Sequence, residues 1–254
     1  MAPVVEIKNV NISYHAKNGE TFALKDVSFS VNTTEFVTIV GPSGCGKTTL
    51  LSAIDGLLPI TSGEISVDGI PVSSPSKKIG YMLQKDHLFE WRTIYGNVML
   101  GLEIAGLMKE PYIGYVNDLL KEYGLLNFAK KYPSQLSGGM RQRAALIRTL
   151  APGPEILLLD EPFSALDYQT RLAVSDDIYK IIKEQQKTAL MVTHDISESV
   201  SLSDRVVVLS RRPATVKKIF SLGFPPARTP LQRRDMSAFK QHFNDIWKEL
   251  DIHV

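Results

Sequence analysis

Apolar residues along the chain follow two different periods, and the change between them marks the predicted elements. Over roughly the first forty residues they alternate with polar residues or form short β-branched runs, as in VVEIKNVNISY, FALKDVSFSV and EFVTIV, which predicts strands. A helix is predicted over TTLLSAIDGLL, and GEISVDG indicates a further strand and a turn. The stretch from about Trp91 to Leu150 is rich in Leu, Lys, Glu and Ala and favours helices.

Strand patterns return in ILLLD, TALMVTH and RVVVLS, separated by helical stretches. Buried apolar strands that alternate with helices indicate a mainly parallel sheet covered by helices. The predicted fold class is therefore α/β, with N-terminal antiparallel strands and an inserted helical subdomain at about 91–150.

The end of the chain is predicted to form a separate segment, 223–254, after a main domain over 1–222. SLGFPPARTPLQRRD, with three prolines and three arginines, is predicted to be a linker into a helix over MSAFKQHFNDIWKEL. Its apolar residues recur at helical spacing, which favours packing against the main domain over a membrane or ligand surface. These residues are Phe239, Phe243, Ile246, Trp247 and Leu250.

Composition excludes several classes of protein. The 254 residues are 44% hydrophobic and 22% charged, which is typical of globular chains, and the single cysteine, Cys45, fits a reducing compartment. A net charge of +2 gives no electrostatic case for nucleic acid or anionic lipid. The opening MAPVVEIKNV predicts no secretory signal, and no apolar run is long enough to span a membrane. We expect a soluble chain that reaches a membrane only through a partner.

The sharpest chemical motif is GPSGCGKT, which follows the apolar strand FVTIV and precedes a predicted helix. It matches G-x-x-x-x-G-K-[ST], in which glycines let successive N–H groups turn toward phosphates at a helix start. Lys47 is predicted to reach the β- and γ-phosphates and Thr48 to ligate Mg²⁺. Cys45 is expected to contribute its backbone N–H, with a redox role as the alternative. The predicted nucleotide-binding residues here are Gly41, Pro42, Ser43, Gly44, Cys45, Gly46, Lys47, Thr48 and Thr49.

Polar residues end several predicted strands. EILLLDEP places Asp160, predicted to hold Mg²⁺, beside Glu161, predicted to be the general base for the attacking water. His194, in ALMVTHD, either contacts a γ-phosphate and the water or is a structural residue. Gln84, in GYMLQKD, either directs its amide to Mg²⁺ or water or simply caps a loop. Tyr14 either stacks on an adenine or is a half-buried aromatic residue.

A second glycine-rich helix start, LSGGMRQR, combines a serine, two glycines and two arginines, which also suits phosphate. With the phosphate loop, ILLLDEP, SALD and the strand-end histidine, it occurs in the order typical of ATP-binding-cassette ATPases, which the chain resembles from about Val4 to Leu209. The resemblance implies a P-loop NTPase core that hydrolyses ATP with Mg²⁺. It also implies site roles: adenine stacking for Tyr14, a link from the metal site to the helical subdomain for Gln84, a dimer-interface loop for Asp167, and a switch role for His194.

In that family two subunits pack head to tail, so the resemblance implies a homodimer with each ATP sandwiched between two chains. Ser137, Gly138 and Gly139 would then contact the γ-phosphate held by the partner subunit. Met140 departs from the family pattern, which has glutamine at this position. Since the phosphate contacts come from the three preceding residues, we expect Met140 to change the level of activity and not to abolish it.

The stretch QKDHLFEWRTIYGNV resembles importer ATPases of the nitrate, sulfonate and taurine type. It implies a subunit at the cytoplasmic face of a bacterial membrane that powers uptake of a small solute through a separate permease, together with an extracytoplasmic substrate-binding protein. The permease is expected to dock near Lys85 to Arg92, through His87, Phe89, Trp91 and Arg92. A cation–π contact between the tryptophan and the arginine is the structural alternative.

Two other functions fit the sequence less well. A soluble cassette ATPase that acts on nucleic acid or ribosomes is disfavoured by the single cassette, the modest charge and the absence of a long coiled-coil insertion before the signature. A P-loop kinase or GTPase is disfavoured because LSGGM and SALD serve neither reaction. The transported solute is not encoded in any motif of this chain.

Overall fold

The computed structural model describes residues 3–16 and 19–250. Lys17 and Asn18, within the polar stretch HAKNGE that is predicted to form a turn between the first two strands, lie outside this part. So do residues 251–254, at the end of the predicted C-terminal segment. The chain forms two compact units. The first combines Met1–Ser76 with Tyr179–Val254, and the second, Lys77–Ile178, is inserted into its sequence.

The strands and helices of the described residues are numbered in chain order. The strands are β1 (Val5–Ala16), β2 (Gly19–Val31), β3 (Phe36–Val40), β4 (Ser62–Val67), β5 (Ile70–Pro71), β6 (Ile79–Met82), β7 (Ile156–Asp160), β8 (Thr188–Thr193), β9 (Arg205–Leu209) and β10 (Val216–Ser221). The helices are α1 (Lys47–Ile54), α2 (Ile94–Ala105), α3 (Tyr112–Glu122), α4 (Gly138–Leu150), α5 (Tyr168–Glu184), α6 (Ile196–Leu202), α7 (Pro230–Arg234) and α8 (Ser237–Glu249). Short 3₁₀ turns cover Leu126–Phe128 and Pro133–Gln135.

Within the first unit, the N-terminal strands form an antiparallel sheet in the order β2-β1-β4-β5. Alternate residues of β1 are buried, beginning with Val5 and Ile7, and the alternation then shifts to Val10 and Ile12. The pairing register with β2 shifts between Ile7 and Val10, as expected where a strand bulges. A shift of one residue along a strand moves its side chains to the opposite face of the sheet. The bulge therefore lets Val5 and Ile7, and then Val10 and Ile12, all face the buried side.

The same unit holds four further strands in the order β10-β9-β3-β8. β3 runs parallel to both β8 and β9, and β10 is antiparallel to β9. Every residue of β3 and β8 is buried, which explains their apolar sequences without alternation.

In the second unit, β6 runs parallel to β7, and helix α4 packs on α2, α3 and β6. The fold class predicted from the sequence, a mainly parallel α/β core with antiparallel N-terminal strands and inserted helices, is confirmed. No helix of the described residues is long and apolar enough to cross a membrane.

The helix after the phosphate loop is shorter than predicted. TTLLSAIDGLL continues to Leu58, whereas α1 ends at Ile54 with Asp55 as its C-cap. Gly56 takes a left-handed conformation with φ of 81°, which ends the helix because the chain can no longer follow its path.

The C-terminal helix α8 packs against the first unit, as its apolar spacing predicts. Ile246 and Leu250 are buried in a cluster with Val40, Val200 and Val208. Two other residues of the stripe, Phe239 and Phe243, are partly buried against this cluster. Trp247 is the exception, since 40% of its surface is exposed.

Candidate functional site

The phosphate loop joins β3 to α1 within the first unit. Its glycine Gly46 has φ of 115°, and a Cβ there would lie 2.9 Å from the Leu24 side chain, so a larger residue would clash. Gly46 is also the N-cap of α1. Because glycine has no side chain to accept hydrogen bonds from the first helical N–H groups, those donors remain for an anionic ligand.

The Lys47 side chain lies inside the phosphate loop and bonds to the loop's own backbone. Its side chain is buried with 6% exposure, and Nζ donates to the carbonyl oxygens of Gly41 at 2.9 Å and Pro42 at 3.1 Å. These bonds hold an ammonium group at the loop, where phosphate oxygens are stronger acceptors than carbonyls.

Cys45 is a structural member of the same loop. Its backbone N–H donates to the carbonyl oxygen of Pro42 at 3.3 Å, and the side chain is buried. Burial raises the pKa of its thiol although Lys47 acts in the opposite direction. A raised pKa disfavours the reactive thiolate, so the geometry supports the non-redox reading.

Two further predicted residues lie at the same edge of the first unit. The Tyr14 hydroxyl is 3.1 Å from Thr49 Oγ1 in the first turn of α1, and the tyrosine is 40% exposed. His194 directly follows β8, whose last residue Thr193 pairs with Val40 immediately before the loop. Parallel strands place their carboxyl ends together, so this unit brings the phosphate loop and the exposed His194 to one edge.

In the second unit, the parallel pair β6–β7 brings together Gln84 and the two acidic residues. Gln84 Nε2 donates to Glu161 Oε2 at 3.2 Å, a contact that the sequence analysis did not foresee. Asp160, the last residue of β7, is only 3% exposed. Glu161 has φ of 44°, an uncommon conformation for a residue with a side chain, and such backbone strain clusters at functional sites.

The signature serine and glycines form the start of α4 in the second unit. Ser137 is the N-cap, its Oγ accepting from the Met140 N–H at 3.4 Å. Gly139 is buried, and a Cβ there would lie 2.9 Å from Thr170 and 3.1 Å from Val174 of α5. Packing against α5 is therefore one reason for a glycine here, independent of any ligand.

The two arginines of LSGGMRQR pair with carboxylates, although their chemistry also suits phosphate. Arg141 Nε lies 3.0 Å from Asp86 Oδ2, and Arg143 Nη2 lies 2.7 Å from Asp177 Oδ2. Farther along α4, Arg148 donates to the carbonyl oxygens of Asp86 and His87 at 2.6 Å and 2.7 Å. Arg141 and Arg148 thus tie α4 to the segment after Gln84.

Asp167 stands immediately before α5 and is exposed. Its Oδ1 accepts from the Thr170 N–H at 3.1 Å, and hydrogen bonds from Thr170 hold the pKa of Asp167 below its usual value. The carboxylate is therefore kept ionised at a helix start.

The segment around Trp91 presents an aromatic pair to solvent. Trp91 is 75% exposed and stacks on Phe89, with ring centroids 4.7 Å apart. Arg92 Nη2 donates to both carboxylate oxygens of Glu103, at 2.6 and 2.7 Å, so the guanidinium pairs with a carboxylate. The alternative of a Trp–Arg cation–π contact stays a prediction. Buried Asn97, which sequence reasoning missed, donates to the carbonyl oxygens of Phe89 and Arg92 and accepts from the Phe89 N–H.

The donors predicted for Mg²⁺ fit that ion chemically. Thr48, Gln84 and Asp160 offer a hydroxyl, an amide and a carboxylate oxygen, the hard ligands that Mg²⁺ prefers. The described residues contain no cluster of three or more His, Cys, Asp or Glu side chains suited to a metal ion. Asp160 is the one carboxylate among the three predicted donors. A single carboxylate agrees with Mg²⁺ being bound largely through substrate phosphates and water.

Comparison with known proteins decides the family. The family model for ABC transporters matches residues 24–164. The chain belongs to this family. It is 45% identical to the uncharacterized ABC transporter ATP-binding protein YtlC of Bacillus subtilis, over 97% of this chain and 95% of that protein.

Some of the relatives carry functional names. The nitrate import ATP-binding protein NrtD of Synechocystis sp. is 42% identical over 90% of this chain and 86% of its own. The taurine import ATP-binding protein TauB of Rhizobium johnstonii is 40% identical over 87% of this chain and 85% of its own. This ABC chain is therefore similar to ATPases of importers, the type of relative that the sequence analysis predicts.

The fold is similar to that of a solved cassette. The dimeric structure of MJ0796, a bacterial ABC transporter cassette, matches with a TM-score of 0.75 and 35% identity, covering 87% of this chain and all of that one. A dimeric post-hydrolysis state of MJ0796 bound to ADP and Pi matches with a TM-score of 0.74 and 33% identity, over 87% of this chain. ATP binding and hydrolysis thus belong to this ABC chain.

Proposed function

We propose that this ABC ATPase powers uptake of a small solute, such as nitrate, a sulfonate or taurine, through a separate membrane permease. The observation that carries the proposal is the contact between Gln84 and Glu161, because it links the proposed base to the segment proposed to meet the permease. The relatives that import nitrate and taurine support this class of solute. Neither they nor the net charge of +2 favours a soluble ATPase acting on nucleic acid.

In the proposed mechanism, the first unit binds the nucleotide. Tyr14 stacks on the adenine, and the N–H groups of the phosphate loop bind the phosphates at the start of α1. Lys47 exchanges its carbonyl acceptors for β- and γ-phosphate oxygens, and His194 orients the γ-phosphate and the attacking water. Thr48, Gln84 and Asp160 would hold Mg²⁺, which when bound would neutralise charge on the phosphates.

Glu161 is proposed to be the general base. Its carboxylate accepts the proton of the attacking water, and the hydrogen bond from Gln84 Nε2 to Oε2 orients it. A shift of the segment that follows Gln84 would change this bond. Binding of the permease would thereby be coupled to proton acceptance by Glu161 through the side-chain amide of Gln84.

The active assembly is proposed to be a homodimer with ATP sandwiched between the chains, as supported by the dimeric MJ0796 cassettes. Ser137, Gly138 and Gly139 would contact the γ-phosphate bound by the partner subunit, and Asp167 would lie at the subunit interface. The dimer would sit at the cytoplasmic face of the membrane, supplied by an extracytoplasmic substrate-binding protein. We retain 1–222 as the ATPase domain, with helices at 91–150, and 223–254 as the C-terminal segment.

Replacing Glu161 by Gln tests the proposed base, because the amide keeps the shape of the carboxylate but cannot take a proton at neutral pH. ATP binding should persist while turnover falls by about a hundredfold or more, measured as phosphate release by the purified chain. Glu155→Gln is the matched control, since that exposed residue lies at the other end of the same strand segment. Near-normal turnover of the Glu161 variant would remove it from this role.

A further inference from the structure

Helix α6 connects His194 to the interior of the first unit. Six of its seven residues are buried. Its start is fixed by Asp195, whose Oδ1 accepts from the N–H groups of Ser197 at 2.7 Å and Glu198 at 3.1 Å. Since His194 directly precedes this cap, its place depends on where α6 lies.

The other end of α6 is held by Arg233 of helix α7. Its Nη1 donates to the carbonyl oxygens of Ser201 at 3.1 Å and Ser203 at 3.3 Å. The carbonyls in the last turn of a helix lack donors within the helix and carry partial negative charge. The buried guanidinium of Arg233, which is 1% exposed, supplies these carbonyls with both hydrogen-bond donors and a positive charge.

Aromatic residues fix the guanidinium in turn. Nη2 donates to the Tyr179 hydroxyl at 2.6 Å, and the guanidinium carbon lies 4.9 Å from the Tyr179 ring centroid and 5.4 Å from that of Phe224. Within the described part of the chain, the side-chain and backbone acceptors of Arg233 are neutral and its buried Nε has no acceptor. Burying a cation without a carboxylate is costly, and the neutral acceptors and the two ring faces offset that cost here.

Helix α8 completes the enclosure of α6. Ile196 and Val200 of α6 lie in the same buried cluster as Ile246 and Leu250. The cluster also contains Val40, the residue before the phosphate loop. The C-terminal segment therefore contacts both the helix behind His194 and the strand that leads into the loop.

We propose that Arg233 is a positioning residue for ATP hydrolysis: by fixing the end of α6 it sets His194 relative to the phosphate loop. The pairing of Thr193 with Val40 makes the two sites neighbours, so a displaced α6 changes their separation. This inference rests on the proposed role of His194 in hydrolysis. Through Arg233, the C-terminal segment would then contribute to ATP hydrolysis in addition to covering apolar surface.

Arg233→Met in the full chain keeps an unbranched side chain but removes every donor. We expect kcat to fall by about tenfold with KM for ATP unchanged, because small misplacements of a catalytic group reduce the rate without removing substrate contacts. Tyr179→Phe, which keeps the ring and removes only the acceptor hydroxyl, should cause a smaller loss in the same direction and serves if the Met variant does not fold. Arg228→Met, an exposed arginine of the same segment, is the matched control.

A double-mutant cycle separates positioning from general destabilisation. In a His194→Ala background, measured by single turnover, Arg233→Met or Tyr179→Phe should cause no further loss, because the effect passes through His194. Full multiplication of the two losses would overturn the inference, as would an equal loss in Arg228→Met. Normal turnover of His194→Ala alone would instead contradict the proposed function of His194.

Discussion

Asp55 is the C-cap of helix α1 and is buried, at 7% exposure of the residue. Burial raises the pKa of Asp55 to about 6. An unfolded aspartate has a pKa of about 3.9, so the folded chain holds this proton over a higher pH range. The contribution of Asp55 to the free energy of unfolding is therefore most favourable below the unfolded pKa. It falls as pH rises through the folded pKa, and above that pKa the full cost of burying the ionised carboxylate is present.

Asp55→Asn removes this titration while keeping the shape of the side chain. The free energy of unfolding of the variant, relative to the native sequence, should rise by about 1 to 1.5 kcal/mol between pH 5 and pH 8. Urea unfolding at several pH values measures the difference. Asp235→Asn, at an exposed C-cap, is the control, and an equal trend in both variants would contradict a specific effect of burial at Asp55.

At the scale of elements, the segment after Gln84 is shaped by residues that recognise its backbone. Asn97 holds Phe89 and Arg92, while Arg148 holds the carbonyl oxygens of Asp86 and His87. The exposed Trp91 therefore projects from a fixed loop, which lowers the entropy lost when a partner binds it. Such preorganised, exposed aromatics are typical interface anchors.

Trp91→Ala should weaken association with the permease by about tenfold or more, since an anchor tryptophan is worth upwards of 1 kcal/mol. The measurement is co-sedimentation with permease-containing membranes, with ATP binding as a check on folding. Trp247→Ala, which alters the other tryptophan, is the control. Unchanged recruitment of the Trp91 variant would place the docking surface elsewhere. Arg92→Glu is less suitable, because it would set two carboxylates together at Glu103.

At the scale of the whole molecule, the proposed dimer explains why one chain carries two glycine-rich helix starts. Lys47→Ala weakens the phosphate loop, and Ser137→Glu sets a carboxylate against the γ-phosphate. In either homodimer both ATP sites are defective. If the signature acts in trans, a mixed dimer gathers both defects in one site and leaves the other intact.

Mixing the two variants should therefore restore ATP-dependent dimerisation in part of the heterodimers, measured by cross-linking. Dimerisation is a better readout than hydrolysis, because a defect in one ATP site can also block hydrolysis at the intact one. Each variant alone is the control. No recovery, with subunit exchange confirmed independently, would count against the arrangement in trans.

The sequence by itself determined the family, the fold class and the place of each motif on an element. GPSGCGKT between a strand and a helix specifies a phosphate loop, because glycine tolerates the left-handed backbone at Gly44 and Gly46. The largely apolar ILLLD and TALMVT specify buried parallel strands. The spacing of Phe239, Phe243 and Ile246 likewise predicted packing of α8. These features are local, since backbone conformation and periodicity are properties of adjacent residues.

Tertiary structure alone decided which partner each polar group takes. The sequence could not show that Gln84 would bond Glu161, that the arginines of LSGGMRQR would pair with Asp86 and Asp177, or that Arg233 would close the end of α6. Each contact joins residues far apart in the chain, and one guanidinium suits phosphate, carboxylate and carbonyl alike. Which acceptor it meets depends on how the elements pack, because hydrogen bonds require a separation of about 3 Å that no local pattern specifies.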